Sequence, residues 1–494
     1  MATYHVGGLA SGMDIQAIVD SMVKAKSVPL TIYDDEKSAI NEKVSAWAEI
    51  NTALTDITSS LDFLRDYTLW NTMAATSSDE SVMTATAGTS AINANYIVEI
   101  SKLAQAHSVG SNKASDLLAS ATETTNLVGT VLTAGDKFTI EGQTITIDAT
   151  TESLSSLMGK INAAASSMGS SVRVIASIMD HRLVITRNNS GSSQIVMSET
   201  IGSPLQALKI FSAPATYNAT NVFRDAQNAE FSVNGADITR SNNTGLTDVI
   251  SGVTLNLKTD TLTSGAITLD ITHDTNQVKT ALQDFVDKYN TASELMTAYG
   301  TTTLTGDGSA KGATVNDSGL LFDDSLLHSI MSNIRKYATG SKSPYLNSTN
   351  ASYTYNSKTG VCDNLDDIGI STASKENVLA MGDEDKLDYM LENNFDKVQQ
   401  LFRGVFDADK GYIHGVATDF YAYMNHVTES MSGEIATHDS TYKSQITRLD
   451  TKTKDLTAEI ETWTQELWAR FGAMEDAIAQ MQSDLTSLTS KLGN

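Results

Sequence analysis

The chain is 494 residues long, 40% hydrophobic and 19% charged, with 59 acidic against 34 basic residues for a formal charge of -25. Such a surface repels nucleic acid and anionic lipid, both held mainly through Lys and Arg, and a single cysteine, Cys362, excludes an intrachain disulfide and a Cys-based metal site. No run approaches the roughly 20 apolar residues of a membrane-spanning helix, so no membrane insertion is expected.

The opening Gly7-Gly8-Leu9-Ala10-Ser11-Gly12-Met13-Asp14 leads into Ile15, Ile18, Val19, Met22 and Val23, interleaved with Gln16, Asp20 and Ser21. No Lys or Arg precedes Lys24, so the charged start and unbroken apolar core of a secretory signal are missing. The spacing is that of one sticky helical face that seeks a protein partner. Asp14 is placed to accept hydrogen bonds from the free amides of the first turn, and Pro29 punctuates the end of this first helix.

A heptad seam follows: Ile40, Val44, Trp47, Asn51, Leu54, Ile57 or Thr58, Leu61 and Leu64 are spaced by steps of four and three. The texture then changes to Thr, Ser, Val, Ile, Gly and Asn. Period-two runs such as Tyr96–Ile100, Lys137–Ile140, Gln143–Ile147 and Arg182–Thr186 read as strands, with Glu141-Gly142 as a turn between two of them. One helix interrupts this insert, carrying Leu154, Leu157, Met158 and Ile161 on one face.

Helices return after about residue 275. Val278, Leu282, Phe285, Val286 and Tyr289 form one stripe, and residues 320–337, 385–402 and 416–431 supply others. Residues 306–318 and 340–360 read as polar loops joining them. No proline follows Pro344. The last seam is the longest: Ile446, Leu449, Thr453, Leu456, Ile460, Trp463, Leu467, Phe471, Met474, Ile478, Met481, Leu485, Leu488 and Leu492. Its four-plus-four step at Trp463, Leu467 and Phe471 is a stutter that locally unwinds a supercoil. Such a helix would be on the order of 70 Å long and must pack against a partner to keep its seam dry.

The expected fold is α+β and multidomain, with terminal coiled-coil helices forming a leg or stalk, a helical domain, and a β-rich head of two inserted domains. Residues 1-40 would be the N-terminal leg and 41-73 the N-terminal strand of the coiled coil in the helical domain. The first head domain would take 74-126 and 216-276, with the second at 127-215 between them; 277-440 completes the helical domain and 441-494 the C-terminal leg.

No constellation supports catalysis. The eight histidines are scattered, without a HExxH pair or a Gly-x-Ser-x-Gly elbow. Gly306–Gly312 has the look of a phosphate loop, but Lys311 is followed by glycine rather than Ser or Thr. Asp407-Ala408-Asp409-Lys410-Gly411 has alternate carboxylates, yet Tyr412 and Thr418 stand where a calcium loop needs Gly and Glu. A lone Cys362 is not a nucleophile by itself. The sequence therefore predicts a protein that is not an enzyme and holds no cofactor or metal.

Several stretches are distinctive in combination. Gly8-Leu9-Ala10-Ser11-Gly12-Met13-Asp14, with Ile18-Val19 and Pro29-Leu30, closely resembles the N-terminus of the flagellar filament cap family, also called hook-associated protein 2. Ala229–Gly235 with Asp248–Leu257, Leu365–Ile370 with Asp385–Leu387 and Val398–Phe402, and Phe471–Gln482 agree in the same order. Residues 138–147, Ile161–Ala164 and Arg182–Thr186 resemble a module containing Ile-Asn that flagellins share. The resemblance implies a secreted, extracellular homo-oligomer at the tip of the bacterial flagellum. It implies flagellin, hook–filament junction proteins and a flagellar export chaperone as partners, and a role in folding and inserting exported flagellin. It also implies leg contacts through Ile15, Ile18, Val19 and Met22, and through Leu456, Ile460, Trp463, Leu467, Phe471, Met474, Ile478, Met481, Leu485 and Leu488. A surface adhesin binding host glycans through the β head is the alternative.

Overall fold

The computed structural model describes residues 10–262, 265–305, 314–340, 352–372, 377–407 and 411–492. The chain forms two compact units, one from residues 1–69 and 275–494, the other from 70–274.

The first unit is built on two long helices, Ile15–Arg65 and Glu434–Leu492. Asp14 caps the first by accepting from the Ala17 amide at 3.0 Å. Its C-terminal half buries Trp47, Ile50, Leu54, Ile57, Leu61 and Leu64. That face is wider than a two-stranded seam because it packs on three helices at once: Thr275–Gly300, Val416–Thr428 and Glu434–Leu492. Phe285 meets Phe420 edge to face with centroids 6.1 Å apart, and Tyr337 stacks on Phe420 and Tyr423.

Four expectations are corrected here. Pro29 does not end the first helix, which runs through it. A proline inside a helix removes one hydrogen bond and costs about 3 kcal/mol; the helix continues because it is held against the C-terminal helix on both sides of Pro29, by the apolar cluster of Ile15, Val19 and Val23 before it and by Tyr33 under Lys452 after it. The 385–402 stripe is two helices, Glu384–Asn393 and Phe395–Arg403, broken where Asn394 leaves helical geometry. Within 340–360 lies a hairpin, Ser352–Tyr355 with Lys358–Val361, turned by Asn356 and Ser357 at positive φ. Only Tyr353 of its eight strand residues is buried, so no apolar alternation marks it in the sequence. The strands Thr302–Thr305 and Thr314–Ser318 likewise pair across the expected 306–318 loop.

The second unit is β-rich with two apolar cores. The first core lies under an antiparallel sheet ordered Met73–Ser77, Ile267–His273, Ala94–Lys102, Ala229–Val233, Ala236–Arg240 and includes Val98, Ile100, Phe231, Leu255 and Leu269. The Asn234-Gly235 turn, both residues at positive φ, closes its last hairpin. Asn234 also exchanges hydrogen bonds with the Ile97 backbone.

The second core contains Phe138, Leu157, Ile161, Ile185 and Phe211. It also takes in Val109, Ala114 and Ala121, upstream of the expected boundary at 127, because the short strand Ser108–Gly110 pairs with Arg182–Arg187. The helix Leu154–Ala165 buries Ile161 in this core, while Asn162 grips the free edge of the strand Val174–Met179. The Asn162 amide donates to the Ala176 carbonyl and its Oδ1 accepts from the Ala176 amide, each at 2.8 Å. The side chain thus stands in for a neighbouring strand and blunts an edge that carries exposed Ile175 and Met179. Asn162→Ala is expected to lower the stability of this unit by about 1–2 kcal/mol and to increase aggregation, measured as a urea midpoint and as light scattering on warming. An unchanged scattering onset would show that the edge needs no such guard.

Candidate functional site

The two long helices run antiparallel in a fixed register. Trp47 meets His438, Lys37 pairs with Asp450, Tyr33 lies under Lys452, Lys26 pairs with Glu459 at 2.8 Å, and the Ala10 amide donates to Glu475 at 3.0 Å. Each step toward the N-terminus on one helix is matched by a comparable step toward the C-terminus on the other. The ion pairs are partly exposed, so each is worth well under about 1 kcal/mol and fixes register more than stability.

The apolar contacts supply the holding force at the far end of the pair. Ile15, Val19 and Leu467 are buried together, with Val23, Trp463, Trp468 and Phe471 packed around them. Ile460 is buried; Leu456, Trp463, Phe471, Met474 and Ile478 are half-buried. Beyond Ile478 the seam opens, with Met481, Leu485 and Leu488 exposed by 62%, 69% and 57%. Ile18 and Met22, expected to share a face with Ile15 and Val19, are exposed instead. The covered face follows Ile15, Val19 and Val23, which drifts round the helix away from the side that carries Ile18 and Met22.

Glu475 was not evident from the spacing. It accepts from the Ala10 and Ser11 amides and from the Ser11 hydroxyl, while Gln482 donates to the Ala10 carbonyl at 2.7 Å. This polar clasp fixes the turn before Asp14 onto the C-terminal helix. The Gly7 to Leu9 part of the opening motif lies outside the described residues.

At the near end, where the pair joins the helical body, one buried carboxylate organises the joint. Asp324 caps the helix Ser325–Thr339 through the Leu326 and Leu327 amides. Its Oδ2 also accepts from Trp47 Nε1 at 3.2 Å, His438 Nε2 at 2.8 Å and Tyr442 Oη at 3.2 Å. Burial works against its charge, but the His438 hydrogen bond and charge, with Trp47 and the Leu326 amide, outweigh it and hold its pKa below the ordinary carboxylate value. Burial beside this carboxylate pushes the Tyr442 phenol up to about 12.

The candidates for chemistry do not converge. Burial pushes the Cys362 thiol up to about 12, so it is a neutral core residue at physiological pH. The Gly306–Gly312 loop and residues 408–410 of the Asp-rich turn lie outside the described residues. Among the described residues no group of His, Cys, Asp and Glu could hold a metal ion, and no helix is long and apolar enough to cross a membrane. What the geometry offers is a contact surface.

Family models for the N-terminus and C-terminus of flagellar hook-associated protein 2 match residues 11–107 and 226–483. The flagellar hook-associated protein 2 of Escherichia coli is 28% identical, aligned over 94% of this chain and 98% of its own length. The A-type protein of Pseudomonas aeruginosa is 26% identical over 96% and 94%. A crystal structure of three domains of the Escherichia coli flagellar cap protein superposes with a TM-score of 0.49 at 27% identity, covering 81% of this chain and 99% of that one. The chain therefore belongs to the flagellar hook-associated protein 2 family, whose members are structural flagellar cap proteins at the extracellular filament tip and not enzymes.

Proposed function

We propose that this protein assembles as a homo-oligomer on the end of the filament, where it holds newly exported flagellin, promotes its folding and insertion, and prevents its loss to the medium. Flagellin and hook–filament junction proteins are its partners there, and a flagellar export chaperone attends it before release. The observation that carries this reading is the terminal helix pair, its seam at least half-covered as far as Ile478 and open at Met481, Leu485 and Leu488. An apolar stripe on a helix that already has one partner is suited to a second helix, which the helical ends of filament or junction subunits would supply.

The stutter at Leu467 and the polar Thr453 keep the seam imperfect, so a leg built this way exchanges partners at low cost. Replacing Met481, Leu485 and Leu488 together with Ser leaves the buried part of the seam intact. In cells lacking the native gene this variant is expected to give short or absent filaments and flagellin in the medium, scored by electron microscopy and immunoblot. Filaments of normal length would remove the leg from the mechanism, and normal filaments on cells that have lost adherence would favour the adhesin.

A further inference from the structure

Between the strands Arg182–Arg187 and Met197–Ile201 of the β-rich unit, residues 194–196 lie in no strand, and side chains take the place of a neighbouring strand there. The Ile195 amide donates to His107 Nδ1 at 3.0 Å, and the Ile195 carbonyl accepts from the Tyr217 hydroxyl. On either side the Gln194 carbonyl accepts from Arg187 at 2.8 Å, and the Val196 amide donates to Glu141 at 3.0 Å. Ile195 is 2% exposed and belongs to the second apolar core with Met197, the first residue of the strand that pairs with Lys137–Ile140. The bracket therefore holds one side of that core shut.

His107 is the member of this bracket whose hydrogen bond depends on its being neutral. The ring is fully buried, and its own carbonyl accepts from the Arg187 amide at 2.8 Å, which fixes it in place. Because Nδ1 accepts, the ring proton is assigned to Nε2, a buried atom with no hydrogen-bond partner among the described residues. A second proton would set an Nδ1–H against the Ile195 N–H, two donors face to face, and place a charge where water does not reach. The charged and titratable groups around the ring do little to offset this. Arg187 opposes a positive ring and Asp225 favours it, while burial outweighs Asp225 and holds the pKa below the ordinary histidine value. Tyr217 meets the ring edge to face at 5.0 Å between centroids, and burial keeps its phenol protonated. Glu141 is paired with Arg187 at 2.9 Å.

We propose that His107 is an acid-released latch: neutral, it holds Ile195 in the second core, and protonated, it lets residues 194–196 go and opens the core beside the strand Met197–Ile201. The direction follows from the buried neutral ring. Its contribution is fully present above the unfolded histidine value of about 6.5 and is lost as pH falls through the lower folded value. Opening exposes Ile195 and Met197 without requiring the rest of the unit to unfold.

The test is hydrogen–deuterium exchange of the full-length protein, read by mass spectrometry over residues 188–201 at pH 7.5 and pH 5 and corrected for the intrinsic rate at each pH. His107→Asn keeps an acceptor close to the position of Nδ1 and cannot titrate. Protection of the native segment is expected to fall on the order of tenfold between the two pH values, while that of His107→Asn stays level. Equal pH dependence in both proteins, or level protection in the native chain, overturns the latch. If His107→Asn lacks the native near-ultraviolet circular dichroism at pH 7.5, the native chain decides alone: the His107 ring resonances and the loss of protection must share one midpoint, and separate midpoints overturn the proposal.

Discussion

Asp324→Ala is expected to cost the helical unit about 3–5 kcal/mol, as removing one partner from a buried, hydrogen-bonded charge cluster does. Three donors from two long helices, Trp47 Nε1, His438 Nε2 and Tyr442 Oη, lose their shared acceptor, and the helix Ser325–Thr339 loses its cap. Urea unfolding followed by tryptophan fluorescence would show the shift, and a midpoint close to native would mean that water replaces the carboxylate freely. The effect carries a pH signature. Because the folded pKa of Asp324 is depressed, its charge contributes stability that is fully present above the unfolded carboxylate pKa and is lost as pH falls through the folded value. The gap between the native chain and Asp324→Asn should therefore be widest near neutrality and narrow below about pH 4. A gap independent of pH would show that the hydrogen bonds, not the charge, hold the joint.

Arg187→Leu should damage the β-rich unit on a similar scale, about 3–5 kcal/mol. Its side chain is 9% exposed and donates to Glu141 Oε1 at 2.9 Å, the Gln194 carbonyl at 2.8 Å and the Ser171 carbonyl at 3.1 Å. Leucine leaves the Glu141 carboxylate, itself 7% exposed, with the Val196 amide as its remaining donor among the described residues. The companion variant Arg187→Leu with Glu141→Leu removes both charges and should recover part of the loss. Thermal unfolding by near-ultraviolet circular dichroism reads both. A double variant no better than the single would assign the loss to the two orphaned carbonyls rather than to the buried charge.

Local rules made some elements readable. Glu141-Gly142 lies between two alternating runs, and both residues take the positive φ that such a hairpin requires. The threes and fours of the terminal segments follow the turn of a helix directly. Other features depend on distance in sequence. Nothing near Phe322-Asp323-Asp324-Ser325 distinguishes one acid as a hub, since two of its partners are 277 and 114 positions away. The candidate site was half visible for the same reason. The covered Ile460 and Leu467 and the open Leu485 and Leu488 all obey one spacing, because periodicity identifies a face without saying how far its partner extends.

The polar clasp between Ala10 and Glu475 joins positions 465 residues apart. A contact of that span cannot begin to form until nearly the whole polypeptide is present in one place, from whichever end it arrives. Local elements such as the Glu141-Gly142 hairpin are under no such constraint, and the entropy of closing a loop grows with its length. The terminal pair is therefore among the last contacts to close: Ile15 and Val19 have no Leu467 to pack against until the C-terminal helix is present.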